Sequence, residues 1–121
     1  MFKRVVAVID DDLSVRASLA RLLRAKGYDC ETFGSAEEFL NGFTASSVNC
    51  VLIDIHLGSG MSGIELCRQL TESGRSINVI LMTGVDIKQN EIKAIEAGCD
   101  AYLHKPFSQH SLINAIERRA A

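Results

Sequence analysis

Residues 50–54, Cys-Val-Leu-Ile-Asp, are four apolar positions closed by an acid. An unbroken apolar run of that length reads as a strand covered on both faces, the condition of a parallel sheet packed between helices. Two further runs share the pattern: Val5-Val6-Ala7-Val8-Ile9 before Asp10-Asp11-Asp12, and Ile77-Asn78-Val79-Ile80-Leu81-Met82 before Thr83-Gly84. These three runs predict the central strands, with the middle one spanning 50–53. Residues 28–33 mix Tyr28, Cys30 and Thr32 with Asp29 and Glu31, a half-exposed pattern that suits an edge strand, and a short last strand is expected at about 101–103.

Segments of helical period lie between these runs. Val15, Leu19, Leu22 and Leu23 form one apolar stripe and Gly27 follows it, which predicts a helix over 13–26. Ser35-x-x-Glu38 and Ser62-x-x-Glu65 are capping boxes that place helix starts just after each serine. Asp86 and Ser108 are caps for the last two helices, and Gly98 ends the fourth. Arg118 and Arg119 are expected to set positive charge on the carbonyl end of the fifth. The count is five strands and five helices in strict alternation, hence an α/β, doubly wound parallel sheet.

The chain has 121 residues, which predicts one domain over 1–121 built on one core. Apolar residues make up 47% and charged residues 23%, the balance of an ordinary globular domain. The net charge of -2 gives no electrostatic footprint for nucleic acid or anionic lipid. The basic start at Lys3 and Arg4 precedes an apolar run too short for an export signal, so a cytoplasmic location is expected. Cys30, Cys50, Cys67 and Cys99 show no Cys-x-x-Cys pairing and are read as buried, reduced thiols. His56, His104 and His110 share no ligand spacing and are read as surface residues.

In an open parallel sheet, ligands bind beyond the carboxyl ends of the strands where the winding reverses. Asp10 and Asp11 follow the first strand, Asp54 the third, Thr83 and Gly84 the fourth, Lys105 and Pro106 the fifth. Three carboxylates about 5 Å apart repel by about 3 kcal/mol per pair at an effective dielectric near 20, so a cation belongs among them. Hard oxygen donors on an open rim suit Mg²⁺, and Lys105 adds a second positive charge. With the Thr83 hydroxyl, that set stabilises the charge of a phosphoryl group in transfer, with Asp54 as nucleophile. Asp12 is read instead as a helix cap.

The chain resembles the receiver domains of bacterial response regulators over nearly its whole length. The resemblance rests on Val8-Ile9-Asp10-Asp11, Val51-Leu52-Ile53-Asp54, Met61-Ser62-Gly63-Ile64-Glu65-Leu66, Leu81-Met82-Thr83-Gly84, and the run from Ala97-Gly98 through Tyr102-Leu103-His104-Lys105-Pro106-Phe107. It implies strand order 2-1-3-4-5 in a flavodoxin-like three-layer sandwich. It implies Asp54 as phospho-acceptor, and Asp10, Asp11, Asp54 and the His56 backbone carbonyl around Mg²⁺. Thr83 and Lys105 then contact the phosphoryl group, Thr83 and Tyr102 act as the switch, and the Lys105–Pro106 bond is cis. A sensor histidine kinase or phosphotransfer protein is the implied donor. The implied output is the face of the fourth helix, fifth strand and fifth helix, acting on an output domain or protein, with homodimerisation left open. Such a domain is a switch rather than a turnover enzyme. Ser35-Ala36-Glu37-Glu38-Phe39-Leu40 resembles receivers of the nitrogen-fixation regulator type, and both a stand-alone receiver and part of a longer regulator remain open. On phosphorylation the group would supply Thr83 with an acceptor that it lacks when free, and the exposed Tyr102 ring would turn inward.

Leu57-Gly58-Ser59-Gly60 departs from the family by about one extra residue and lacks its Met-Pro, and it is read as a mobile loop. Gly58-Ser59-Gly60-Met61-Ser62-Gly63 also spells the dinucleotide-binding pattern between strand and helix, which makes a small nucleotide-binding domain one alternative. A small aspartyl-phosphate phosphatase is the other. Its usual second acid would fall at His56, and no cap domain is present to exclude water.

Overall fold

A computed structural model describes residues 4–42, 47–85 and 88–118. Strands and helices alternate along these residues: β1 (Val5–Ile9), α1 (Leu13–Ala25), β2 (Asp29–Phe33), α2 (Ala36–Gly42), β3 (Val48–Asp54), α3 (Gly63–Glu72), β4 (Asn78–Thr83), α4 (Lys88–Glu96), β5 (Ala101–His104) and α5 (Gln109–Glu117). The sheet is parallel with order β2-β1-β3-β4-β5, so the winding reverses between β1 and β3. The expected three-layer sandwich is the observed architecture.

The apolar runs are unbroken because alternate residues serve different layers. Val6 and Val8 of β1, Leu52 of β3 and Ile80 and Met82 of β4 pack with Leu19 and Leu23 of α1 and Leu112 and Ile116 of α5. Ala7 and Ile9, Val51 and Ile53, and Val79 and Leu81 pack with Phe39 of α2, Leu66 and Leu70 of α3 and Ala94 of α4. Each fully buried Leu or Ile contributes about 2 kcal/mol of transfer free energy, so both layers hold the sheet against its helices. Phe33 and Phe39 meet edge to face at 5.3 Å and close the β2 edge against α2.

The strands run further toward the carboxyl rim than the apolar pattern indicates. Asp54 pairs with Met82 and Thr83 with His104, so both polar residues are the last rungs of their ladders rather than the first loop residues. β3 also starts two positions early, at Val48, although Asn49 is exposed. There the Asn49 side-chain oxygen accepts the Val5 N–H at 2.8 Å, where the β1–β3 register shifts.

The helix ends follow their signals with two corrections. Asp12 caps α1 by accepting from the Ser14 and Val15 N–H groups, Ser62 and Glu65 form the reciprocal box on α3, and Ser108 caps α5. At α2 the box is half made: Ser35 Oγ accepts from Glu38 N, but the Glu38 carboxylate takes the Gly34 N–H instead. Arg118 does not serve the end of α5, because its guanidinium donates to the Asp100 carbonyl at 3.3 Å. The α5 carbonyls are held by Asn78 Nδ2, at 3.1 Å from Ala115 O and 3.2 Å from Ile116 O. The expected cap Asp86 and Arg119 lie outside the described residues. No helix among the described residues is long and apolar enough to cross a membrane.

Candidate functional site

β1, β3 and the β5–α5 turn deliver their polar residues to one point on the carboxyl rim. Asp10 is 1% exposed and Asp54 7%, whereas Asp11 faces solvent. One carboxylate oxygen from each of the three lies within 4.8 Å of the others, as the strand-end reading required. Lys105 Nζ stands between the two buried acids, 2.7 Å from Asp54 Oδ2 and 3.0 Å from Asp10 Oδ2. The Lys105–Pro106 peptide is cis, in agreement with the resemblance.

Backbone groups fix the other oxygens of the two buried acids. Asp10 Oδ1 accepts the Asp12 N–H at 2.9 Å, and Asp54 Oδ1 accepts the His56 N–H at 2.8 Å. The His56 side chain itself is exposed, as are those of His104 and His110. Burial raises the Asp54 carboxyl above the usual carboxylate range, with a smaller push from Asp10, against the stabilising Lys105 ammonium and His56 N–H. For Lys105, burial acts to lower its value, but the hydrogen bonds and charges of Asp54 and Asp10 outweigh it and hold the ammonium above the ordinary range. The site therefore keeps a firmly charged lysine against a buried carboxylate whose ionised form burial disfavours.

Two expectations about the switch pair are revised. Thr83 is fully buried, and its hydroxyl already has an acceptor: it donates to Val85 O at 3.2 Å and accepts from Val85 N at 3.1 Å. Tyr102 is half-buried with its hydroxyl shut away from solvent, and its ring meets His104 edge to face at 5.3 Å. Tyr102 is therefore not the exposed aromatic that was expected.

Arg16, which the sequence reading passed over, donates from Nη1 to the Asp10 carbonyl at 2.7 Å. The glycine-rich loop shows why it is not a pyrophosphate cradle. The Ser62 and Glu65 N–H groups are taken by the capping box of α3 itself. A Cβ on Gly63 would stand 2.2 Å from the Asp54 carbonyl oxygen, so this glycine lets the start of α3 close on the end of β3. Of the cysteines, Cys30, Cys50 and Cys67 are buried, Cys99 is half-buried, and all four are free thiols.

Three carboxylate oxygens at this spacing fit a hard, oxygen-preferring cation, and the donor set contains no soft ligand. Residues 6–117 match the family model described as the response regulator receiver domain. Response regulator protein TodT of Pseudomonas putida is 37% identical over 112 residues, 93% of this chain and 49% of that protein. Nodulation protein W of Bradyrhizobium diazoefficiens is 32% identical over 94% of this chain and 50% of its own length. The chain thus spans about half the length of these curated relatives. Among solved structures, FixJ-N superposes with a TM-score of 0.84 at 34% identity, covering 98% of this chain and 94% of that one. A CheY-like receiver domain protein from Methanospirillum hungatei gives 0.85 at 29% identity over 97% and 93%.

Proposed function

The chain belongs to the response regulator receiver family, and from that premise we propose that it forms one receiver unit over residues 1–121 that switches when Asp54 accepts a phosphoryl group. The observation that carries the reading is the Lys105 ammonium bridging Asp54 and Asp10 with Asp11 alongside. Asp10, Asp11 and Asp54, with the His56 backbone carbonyl, are the residues that would hold Mg²⁺. Bound there, the ion would supply charge neutralisation to the oxygens of the transferring group.

An Asp54 carboxylate oxygen attacks the phosphorus of a phosphohistidine on a sensor kinase or phosphotransfer protein. The O–P bond of an acyl phosphate forms as the P–N bond breaks, and the departing imidazole takes up a proton. Lys105 then has an anionic oxygen to hold in place of the carboxylate it holds now, and Thr83 exchanges Val85 O for the phosphoryl group. That exchange frees the Val85 backbone, and with Tyr102 it alters the face of α4, β5 and α5. A few kcal/mol of differential contact is enough to invert such an equilibrium. The relative TdiR of Thauera aromatica is named a transcriptional regulatory protein, which supports an output domain or protein as the partner of that face. The proposed setting is cytoplasmic, and the proposed chemistry is a single transfer followed by slow self-hydrolysis rather than turnover of phosphate esters.

The test is incubation with Mg²⁺ and acetyl phosphate, with the adduct mapped by mass spectrometry. Labelling is expected on Asp54 at no more than one equivalent and absent from Asp54→Asn. Wild-type labelling of Asp54→Asn, or release of many equivalents of phosphate from an ester substrate, would sink the reading.

A further inference from the structure

We infer that Glu37 is a positioning residue for the acidic pocket: from α2 it latches the glycine loop 58–60, and that loop is the wall against which Asp11 is held. The inference rests on the reading of Asp10, Asp11 and Asp54 as the cation-holding set.

The Met61 N–H donates to Glu37 Oε2 at 2.8 Å across 24 positions of sequence. A Cβ on Gly60 would stand 2.9 Å from that same oxygen, so the loop backbone lies directly against the carboxylate. At the other end of the loop, a Cβ on Gly58 would come within 3.3 Å of Asp11 Oδ2. Glu37, the loop and Asp11 therefore lie side by side from the first turn of α2 to the rim of the pocket.

Gly58 and Gly60 have φ of +72° and +90°, conformations that other residues rarely adopt, and glycine retains wide freedom when nothing holds it. A charge-assisted hydrogen bond from Met61 is what fixes this loop, and the same N–H holds the Glu37 carboxyl below the ordinary carboxylate range. Asp10 and Asp54 are locked by Lys105 and by backbone N–H groups, whereas Asp11 is exposed and receives no side-chain hydrogen bond among the described residues. The loop is the feature that narrows where the third acid can sit. An exposed latch contributes little to global folding, so its effect falls on the pocket rather than on the core.

The test is an NMR titration of the whole chain with Mg²⁺, with amide exchange at Met61 as the reporter of the latch. Partners that orient metal ligands typically change affinity by about tenfold or more, so Glu37→Ala is expected to release the Met61 amide and weaken Mg²⁺ binding about tenfold. Glu37→Gln keeps the acceptor and is expected to stay within about twofold of wild type, which a charge effect on the α2 N-terminus would not allow. Gly60→Ala should behave like Glu37→Ala, because its methyl group displaces the carboxylate. Unchanged affinity in Glu37→Ala, a Met61 amide still protected in it, or equal losses in Glu37→Gln and Glu37→Ala each overturn the latch. A wild type that binds no Mg²⁺ instead overturns the cation reading, and the latch with it.

Discussion

Lys105 Nζ lies 2.7 Å from Asp54 Oδ2 and 3.0 Å from Asp10 Oδ2, so one side chain ties the end of β3 to the end of β1. One ammonium thus answers both buried carboxylates. Lys105→Met leaves two buried acids without their cation, which is expected to cost about 2 kcal/mol in Mg²⁺-free buffer. Added Mg²⁺ should then rescue the variant by more than it stabilises the wild type. Urea unfolding with and without Mg²⁺ measures both, and a smaller Mg²⁺ effect in the variant would contradict this charge balance.

Neutralising an acid should act in the opposite direction. Burial, before any other influence, raises the Asp54 carboxyl, so its ionised form is disfavoured in the fold relative to the unfolded chain. The penalty is present at neutral pH and disappears as pH falls through the folded-state value. Asp54→Asn should therefore raise the urea midpoint at pH 7 without Mg²⁺, while losing stabilisation by the ion. At ten times its Kd, Mg²⁺ should add about 1.4 kcal/mol to the wild type. A lower midpoint for metal-free Asp54→Asn would show that the Lys105 pair outweighs burial.

At alkaline pH the buried thiols contribute to the slope. Burial pushes Cys50 up to about 12, with Cys67 at about 12 and Cys30 at about 11. An unfolded thiol titrates at about 8.5, so the stability these groups contribute is full below that pH and is lost as pH rises toward the folded values. Cys50 alone contributes a decline of about 1.4 kcal/mol per pH unit in that window. Cys50→Ala should flatten the profile between pH 9 and 11 by about that amount, read from urea unfolding at stepped pH. An unaltered slope would mean that Cys50 is reached by solvent.

Gly63→Ala would place a methyl group 2.2 Å from the Asp54 carbonyl oxygen, against backbone that cannot yield. The expected cost is about 3 kcal/mol, with slowed labelling because the acceptor is displaced along with the end of β3. Urea unfolding and acetyl phosphate labelling check the two effects. Wild-type values in both would mean that α3 can ride up without disturbing the site.

Beryllofluoride, a phosphoryl mimic, should move the Val85 amide first, since that N–H now bonds Thr83 Oγ1 at 3.1 Å. Residues 88–118 should shift with it, and Tyr102→Ala should still label on Asp54 but lose much of the shift on α4 and α5. Changes confined to residues 54–61 in the wild type would exclude the α4, β5, α5 face as the output.

The fold was legible because both faces of the sheet are covered, which writes Val5–Ile9 and 50–53 as plain apolar runs between helical stripes. Asp54 and Lys105 were legible because strand ends in such sheets gather ligand chemistry. Arg16 could have been found: a cation in the first turn of a helix opposes the macrodipole, and its partner is the Asp10 carbonyl. Glu37 could not, since an acid in a first turn is where acids belong anyway, and nothing local says that Met61 lies across from it. Tyr102 was placed on its strand and Thr83 one step beyond its own, but which way a side chain turns depends on neighbours such as Val85 and His104 that only the folded chain brings close.

The division of the apolar runs between two layers makes the site a matter of parity. Asp10 stands an even number of positions from Val6 and Val8, and Asp54 from Cys50 and Leu52, all of which belong to the layer that contains α1 and α5. Strand side chains alternate with a period of two, so both acids inherit the same side and meet Lys105 there. One residue inserted between Val8 and Asp10, or between Leu52 and Asp54, would leave composition and hydropathy almost untouched. It would also send one carboxylate to the opposite side of the sheet, away from the Lys105 ammonium that both acids share.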